Sequence, residues 1–223
     1  NSTSNSGSAF IFFGGITGTK RADADADVIL NGQSASDLFG GSVASAGDFN
    51  GDGKDDVIVG ASGDDNNSTS NSGSAFIFFG GITGTKLADA ADVILNGQSD
   101  DDCFGCAISS AGDFNGDGKD DVIVGAYNDD STDVSSNNPG SAFIFFGGTT
   151  GTKTADANAD VILTCFDNTV LSRLCNTGRF GYSVASAGDF NDDGKGDVIV
   201  GTLQGYGAYI FFGGVTGTRD VRT

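Results

Sequence analysis

The chain repeats itself, and that one property limits its fold more than any other. Ser-Ala-Phe-Ile-Phe-Phe-Gly-Gly begins at Ser8, Ser74 and Ser141, and a variant, Ala-Tyr-Ile-Phe-Phe-Gly-Gly, begins at Ala208. The copies are offset by 66, 67 and 66 residues. Asn1–Lys20 returns unchanged as Asn67–Lys86, and a second motif, Ala-Gly-Asp-Phe-Asn, starts at Ala46, Ala111 and Ala187. A period of this length marks an array of supersecondary units. Each unit buries its apolar face only by stacking on a neighbour.

Each unit holds four strand candidates. In the second unit A is Ser42–Ala46, B is Asp56–Gly60, C is Ala75–Phe79 and D is Asp92–Leu95. B and C are unbroken β-branched or aromatic runs bounded by Gly and Asp, the pattern of strands covered on both faces. No segment sustains a 3.6-residue period, so no helix is expected. Four strands per repeat in sheets covered on both sides predict an all-β fold of propeller-type blades. The chain divides into a partial blade 1–38, blades 39–103 and 104–179, and a partial blade 180–223. Antiparallel strands place the A–B and C–D connections at one end of a blade, and the B–C and D–A connections at the other.

Composition supports this reading. All 30 acidic residues are Asp, Gly numbers 37, and His, Met, Trp and Glu are absent. Asp and Gly suit turns and oxygen-rich metal loops better than helix or strand interiors. The formal net charge of −19 argues against nucleic acid and anionic membrane as partners. No apolar run approaches the roughly 20 residues of a membrane span. No leader is legible and the first residue is not Met, as expected of a mature or truncated product.

The Asp residues cluster in the A–B connections. These read Asp48-Phe-Asn50-Gly-Asp52-Gly-Lys54-Asp-Asp56, Asp113-Phe-Asn115-Gly-Asp117-Gly-Lys119-Asp-Asp121 and Asp189-Phe-Asn191-Asp-Asp193-Gly-Lys195-Gly-Asp197. Positions 1, 3 and 5 supply side-chain oxygens on the inside of a tight turn, and Gly at 6 permits the bend. Position 7 offers a main-chain carbonyl, and Asp at 9 closes the shell. Three Ca²⁺ sites are expected, one per loop. Position 12 of the first loop is Val59, within a strand, which excludes an EF-hand. The alternative is an array of Asx-turns in which Asp and Asn only cap backbone amides.

These residues carry a resemblance to the FG-GAP repeat family, found in integrin α-chain propellers and many secreted bacterial proteins. Phe39-Gly40, Phe104-Gly105 and Phe180-Gly181 precede strand A. Gly60-Ala61 and Gly125-Ala126 follow strand B, where the third repeat has Gly201-Thr202. The resemblance implies a propeller blade with Ca²⁺ in the A–B loop, and a role in adhesion or ligand recognition outside the cell or at its surface. The family ring typically has seven blades, whereas this chain carries about three periods with incomplete ends. Head-to-tail self-association into a ring or filament, another protein partner, or a longer parent chain would cover those ends. A carbohydrate-binding propeller is the other functional class, with Tyr127, Tyr182 and Tyr206 as candidate contacts.

Four cysteines allow three disulfide connectivities. Cys165–Cys175 would close the longest D–A loop, leaving Cys103 and Cys106 to pair or stay free. Cross-blade pairing as Cys103–Cys165 and Cys106–Cys175 is an alternative. A Cys₄ zinc site lacks the usual spacing, and a redox Cys-x-x-Cys lacks its usual helix. Without His or Glu, and without a nucleophile elbow or phosphate loop, no catalytic constellation is legible, and the chain reads as a non-enzyme.

Overall fold

Short runs of Val, Ile and Phe between Gly and Asp form strands here because pleated neighbours receive their branched and aromatic side chains on both faces. The computed structural model describes residues 6–66, 69–130, 139–165, 179–203 and 207–220. The first strands are β1 (Ser8–Ile11) and β2 (Val28–Asn31). The second unit contributes β3 (Ser42–Gly47), β4 (Asp56–Ala61), β5 (Ser74–Phe78), β6 (Gly84–Leu87) and β7 (Val93–Asn96). The third contributes β8 (Ala107–Gly112), β9 (Asp121–Ala126), β10 (Ser141–Phe145), β11 (Gly151–Thr154) and β12 (Val161–Thr164). The last has β13 (Phe180–Gly188), β14 (Asp197–Thr202), β15 (Ala208–Phe211) and β16 (Gly217–Asp220).

These strands make four sheets: β1-β2-β6, β3-β4-β5-β7-β11, β8-β9-β10-β12-β16 and β13-β14-β15. Within the inner sheets A, B, C and D run antiparallel, with Val59 opposite Phe76 and Phe76 opposite Ile94. The four expected strands are therefore present, with ends shifted by about one residue.

A fifth strand was not expected. The segment between C and D leaves its own blade and pairs in parallel with the D strand of the blade before it. Gly84–Leu87 lies along Val28–Asn31, Gly151–Thr154 along Val93–Asn96, and Gly217–Asp220 along Val161–Thr164. Lys86 belongs to such a strand. The first three sheets thus each recruit one strand from beyond their own sequence period.

The expectation of no helix also needs correction, locally. Ala22–Asp25 and Ala155–Asn158 each form one α-helical turn, and Ala88–Ala90 a 3₁₀ turn. These runs of Ala with Asp or Asn lie just before strand D. They are too short to carry any periodicity.

The apolar clusters lie between successive sheets. Phe49, Ile58, Ile77 and Leu95 of the second sheet pack against Phe104, Val122, Val124 and Phe143 of the third. Phe114, Ile123, Ile144 and Leu163 of the third pack against Phe180, Val198 and Val200 of the fourth. A matching cluster joins the first sheet to the second through Leu30, Phe39 and Phe76.

The Phe-Gly and Gly-Ala pairs work at these junctions. The Gly105 amide donates to Gly125 O at 3.1 Å within its own blade, while Gly105 O accepts from Ser42 Oγ at 2.6 Å in the blade before. A Cβ on Gly60 would stand 2.1 Å from Gly105 O, so only glycine allows this approach of backbones.

Candidate metal centre

The three Asp loops leave strand A through a β-bulge. The register shifts between Ser45 and Gly47, between Ser110 and Gly112, and between Ser186 and Gly188. The extra residue turns the chain out of the sheet. The loop then bends back through left-handed residues at positions 4 and 6. These are Gly51 and Gly53, Gly116 and Gly118, and, in the third loop, Asp192 and Gly194.

Within each loop the acidic oxygens converge on the loop's own amides. Asp48 accepts from Asp52 N at 2.9 Å through Oδ1 and from Gly53 N at 2.9 Å through Oδ2. Asn50 Oδ1 accepts from Asp52 N at 2.7 Å, and Asp52 Oδ1 accepts from Lys54 N at 3.0 Å. The second loop repeats this with Asp113, Asn115 and Asp117, and the third with Asp189, Asn191 and Asp193.

Asp at position 9 sits deeper. Asp56, Asp121 and Asp197 are fully buried. One oxygen of Asp121 accepts from Phe114 N and Asn115 N at 2.9 and 3.1 Å, and the other from Gly147 N at 2.7 Å. Asp56 and Asp197 hold Gly80 N and Gly213 N in the same manner. Position 9 therefore pins the loop to the turn after strand C, a role the spacing alone did not reveal. Burial, reinforced by the charge of Asp117, pushes the Asp121 carboxyl up to about 7. Asp56 is raised by burial too, with Asp52 and Asp48 adding to it.

The Lys at position 7 was expected to contribute only its carbonyl, but its side chain reaches between blades. Lys119 runs between Gly51 of the preceding loop and Gly148 of its own blade, where added Cβ atoms would lie 3.2 Å from Lys119 Cε and 2.4 Å from Lys119 Nζ. Lys195 lies in the same way between Gly116 and Gly214. Lys54 bonds Asp52 at 3.2 Å and holds that carboxyl below its usual range. The Phe at position 2 completes the link between blades. The carbonyls of Phe49 and Phe114 accept from Gly148 N and Gly214 N, each at 2.6 Å.

The donor set fits a hard divalent cation: three carboxylates, one amide oxygen and one main-chain carbonyl, with no nitrogen or sulfur. A carboxylate that has accepted amide protons keeps further lone pairs for a metal. Among the described residues, no three acidic or sulfur side chains are already gathered as a metal cluster. The Asx-capping hydrogen bonds expected under the alternative reading are also present. They do not compete with an ion for every lone pair.

Comparison with known proteins places this geometry. The FG-GAP repeat model matches residues 39–78, 107–145 and 180–218, together just over half of the chain. The chain belongs to the FG-GAP repeat family. This FG-GAP array is 30% identical to integrin alpha-6 of Gallus gallus over 176 residues, covering 79% of the chain and 14% of that protein. It is 32% identical to integrin alpha-IIb of Mus musculus over 185 residues, covering 80% of the chain and 16% of that protein. It is also 30% identical to phosphatidylinositol-glycan-specific phospholipase D of Mus musculus over 163 residues, covering 72% and 18%. The array thus spans less than a fifth of each of these relatives. Its sheets are propeller blades, as the repeat period predicted. Among the described residues, no helix is long and apolar enough to cross a membrane.

The other candidate residues lie at the opposite end of the blades. Cys103 and Cys106 are free thiols, so neither forms the disulfides considered for it from sequence. Cys165 is buried and engaged, while Cys175 and Tyr206 lie outside the described residues. Tyr127 and Tyr182 meet edge to face at 5.5 Å.

Proposed function

We propose that this FG-GAP array is a calcium-stabilised adhesion or assembly module that works outside the cell or at its surface. The observation that carries this reading is the threefold recurrence of an all-oxygen loop at one end of the blades. Each site would use the side chains at positions 1, 3, 5 and 9 with the carbonyl at position 7. In the three loops these are Asp48, Asn50, Asp52, Lys54 and Asp56; Asp113, Asn115, Asp117, Lys119 and Asp121; and Asp189, Asn191, Asp193, Lys195 and Asp197. Bound Ca²⁺ would supply charge neutralisation and rigidity rather than chemistry, and three ions would offset six units of the formal net charge of −19. The loops also touch the following blade, so an ion in one would stiffen a junction between two sheets.

The partner in this reading is a protein, and a second copy is the first candidate. The outer sheets leave apolar strands uncovered, and Phe10, Ile210 and Phe212 are exposed. Such edges favour pairing. The module is not an enzyme in this reading, since the likeness to a phospholipase D covers only 18% of that protein. A carbohydrate partner has no comparable support, because Tyr127 and Tyr182 pack on each other.

Calorimetric titration of chelator-treated protein tests the calcium reading. Three ions per chain are expected, with Kd of roughly 10⁻⁴–10⁻³ M. Asp117→Ala should reduce the number to two. Absence of binding at millimolar calcium would overturn it. Sedimentation at micromolar concentration tests self-association, which a stable monomer with protected end strands would exclude.

A further inference from the structure

At the end of the blades away from the Asp loops, one turn carries two thiols. Cys103 and Cys106 flank the Phe104-Gly105 pair, where the other repeats have Leu38 and Gly41, or Arg179 and Tyr182. The Cys106 amide donates to Cys103 O at 3.1 Å, and Gly105 has φ 83. This is a tight turn with glycine at its third position, so its first and fourth Cα atoms lie within about 7 Å. A disulfide spans roughly 4.4–6.8 Å between Cα atoms, so the turn suits one closely. Both thiols are free and half-buried, which leaves them reachable from solvent.

The surroundings of the two sulfurs differ. Asn128 Nδ2 donates to Cys103 Sγ at 3.6 Å, and the Cys106 thiol and the Tyr127 hydroxyl act on the same sulfur. Arg179, from the next blade, stands over the Tyr127 ring at 5.3 Å and adds positive charge near the sulfur. Asp101 opposes these, and burial opposes them too. The donors win, and the Cys103 thiol is lowered to about 6. Cys106 has Ser62 and Tyr127 for company, but its bond to Cys103 and its burial push its thiol up. One sulfur is held as a thiolate and the other as a proton-bearing thiol. These side-chain donors provide what a helix N-terminus provides in other Cys-x-x-Cys sites.

We propose that Cys103 and Cys106 form a thiol–disulfide exchange site whose substrate is a disulfide, with Cys103 as the attacking sulfur and Cys106 as the resolving thiol. The Cys103 thiolate attacks one sulfur of RS–SR. That bond breaks, a mixed disulfide Cys103–S–SR forms, and RS⁻ leaves to take up a proton. The Cys106 sulfur then loses its proton and attacks Cys103 Sγ, expelling the second RS⁻, which is protonated in turn. Two protein thiols are oxidised to one disulfide, and RS–SR is reduced to two RSH. The site shares no residue with the Asp loops and does not rest on calcium binding.

Peptide mapping of the intact chain after treatment with glutathione disulfide tests this. The untreated sequence should yield a Cys103–Cys106 disulfide and no lasting adduct. Cys106→Ser should trap glutathione on Cys103, whereas Cys103→Ser should leave Cys106 unmodified. Alkylation of Cys103 in the unaltered chain should rise through a midpoint near pH 6, and Tyr127→Phe should move that midpoint upward. These wild-type measurements need no variant to fold. Equal reactivity of the two thiols, or midpoints near the ordinary value of about 8.5, would overturn the proposal. A parallel arm with a disulfide-bonded polypeptide separates two substrate sources. Exchange with glutathione disulfide alone assigns the site to small disulfides, exchange with both extends it to proteins, and exchange with neither refutes it.

Discussion

Phe76 and Phe10 occupy the same place in two identical stretches of sequence, yet Phe76 is 6% exposed and Phe10 is 39% exposed. The loops differ in the same way. The Phe at position 2 is fully buried in the first two, as Phe49 and Phe114, and 64% exposed in the third, as Phe190. The sequence is identical in the first comparison, and in the second the loops differ only at positions 4 and 8, away from the Phe. The difference is whether another blade stands on that side. Burial in this fold belongs to the junction between repeats, and a repeat at the end of the array carries residues designed for a contact it does not make.

The largest effect should come from removing such a residue at an occupied junction. Phe114→Ala should cost about 3–5 kcal/mol in denaturant unfolding, because it opens a cavity between two sheets. Phe190→Ala should change stability by no more than about 0.5 kcal/mol. If the two substitutions cost the same, the end face is covered in solution, and the comparison turns into support for self-association.

Removing the ions should have the next largest effect. At calcium tenfold above Kd, each site contributes about 1.4 kcal/mol, so chelation should lower Tm. Asp52→Ala and Asp193→Ala should each abolish one site. The first should loosen a junction and the second only an end loop, so hydrogen exchange should rise more widely in Asp52→Ala. Equal, local changes would mean that the loops do not couple blades.

The smallest effect concerns the opposite end. Asp102 is buried beside Asp129, and burial foremost raises its carboxyl to about 7. The folded state therefore holds this proton more tightly than the unfolded chain. The stability it contributes is complete below about pH 4 and is lost as pH rises through about 7. Asp102→Asn, which can still accept from Ser99 N, should flatten that slope and stabilise the protein above pH 7. The equivalent Asp37 is also raised by burial, so Asp37→Asn should act in the same direction.

Strands A to D were legible because apolar runs between Gly and Asp leave few alternatives, and the Asp loops because their spacing recurs. The fifth strand was not legible. Gly-Thr-Lys-Leu, Gly-Thr-Lys-Thr and Gly-Thr-Arg-Asp have neither alternation nor an apolar run, and their partner belongs to another repeat. The pinning role of Asp121 was hidden for a similar reason, since Gly147 lies far along the chain. Cysteine spacing allowed several pairings, but not the asymmetry between Cys103 and Cys106. That depends on Tyr127 after strand B and on Arg179 from the following blade.

The borrowed outer strand also has a temporal consequence. During synthesis, the sheet that ends its own contribution at Asn96 waits for Gly151–Thr154 to emerge before its edge is closed. Each of the first three sheets is then finished by the blade that follows, so their assembly proceeds from the N-terminus with a lag of one incomplete edge. A chain cut at a repeat boundary would strip the parallel strand from the sheet before the cut, whereas a cut placed after that strand would spare the edge.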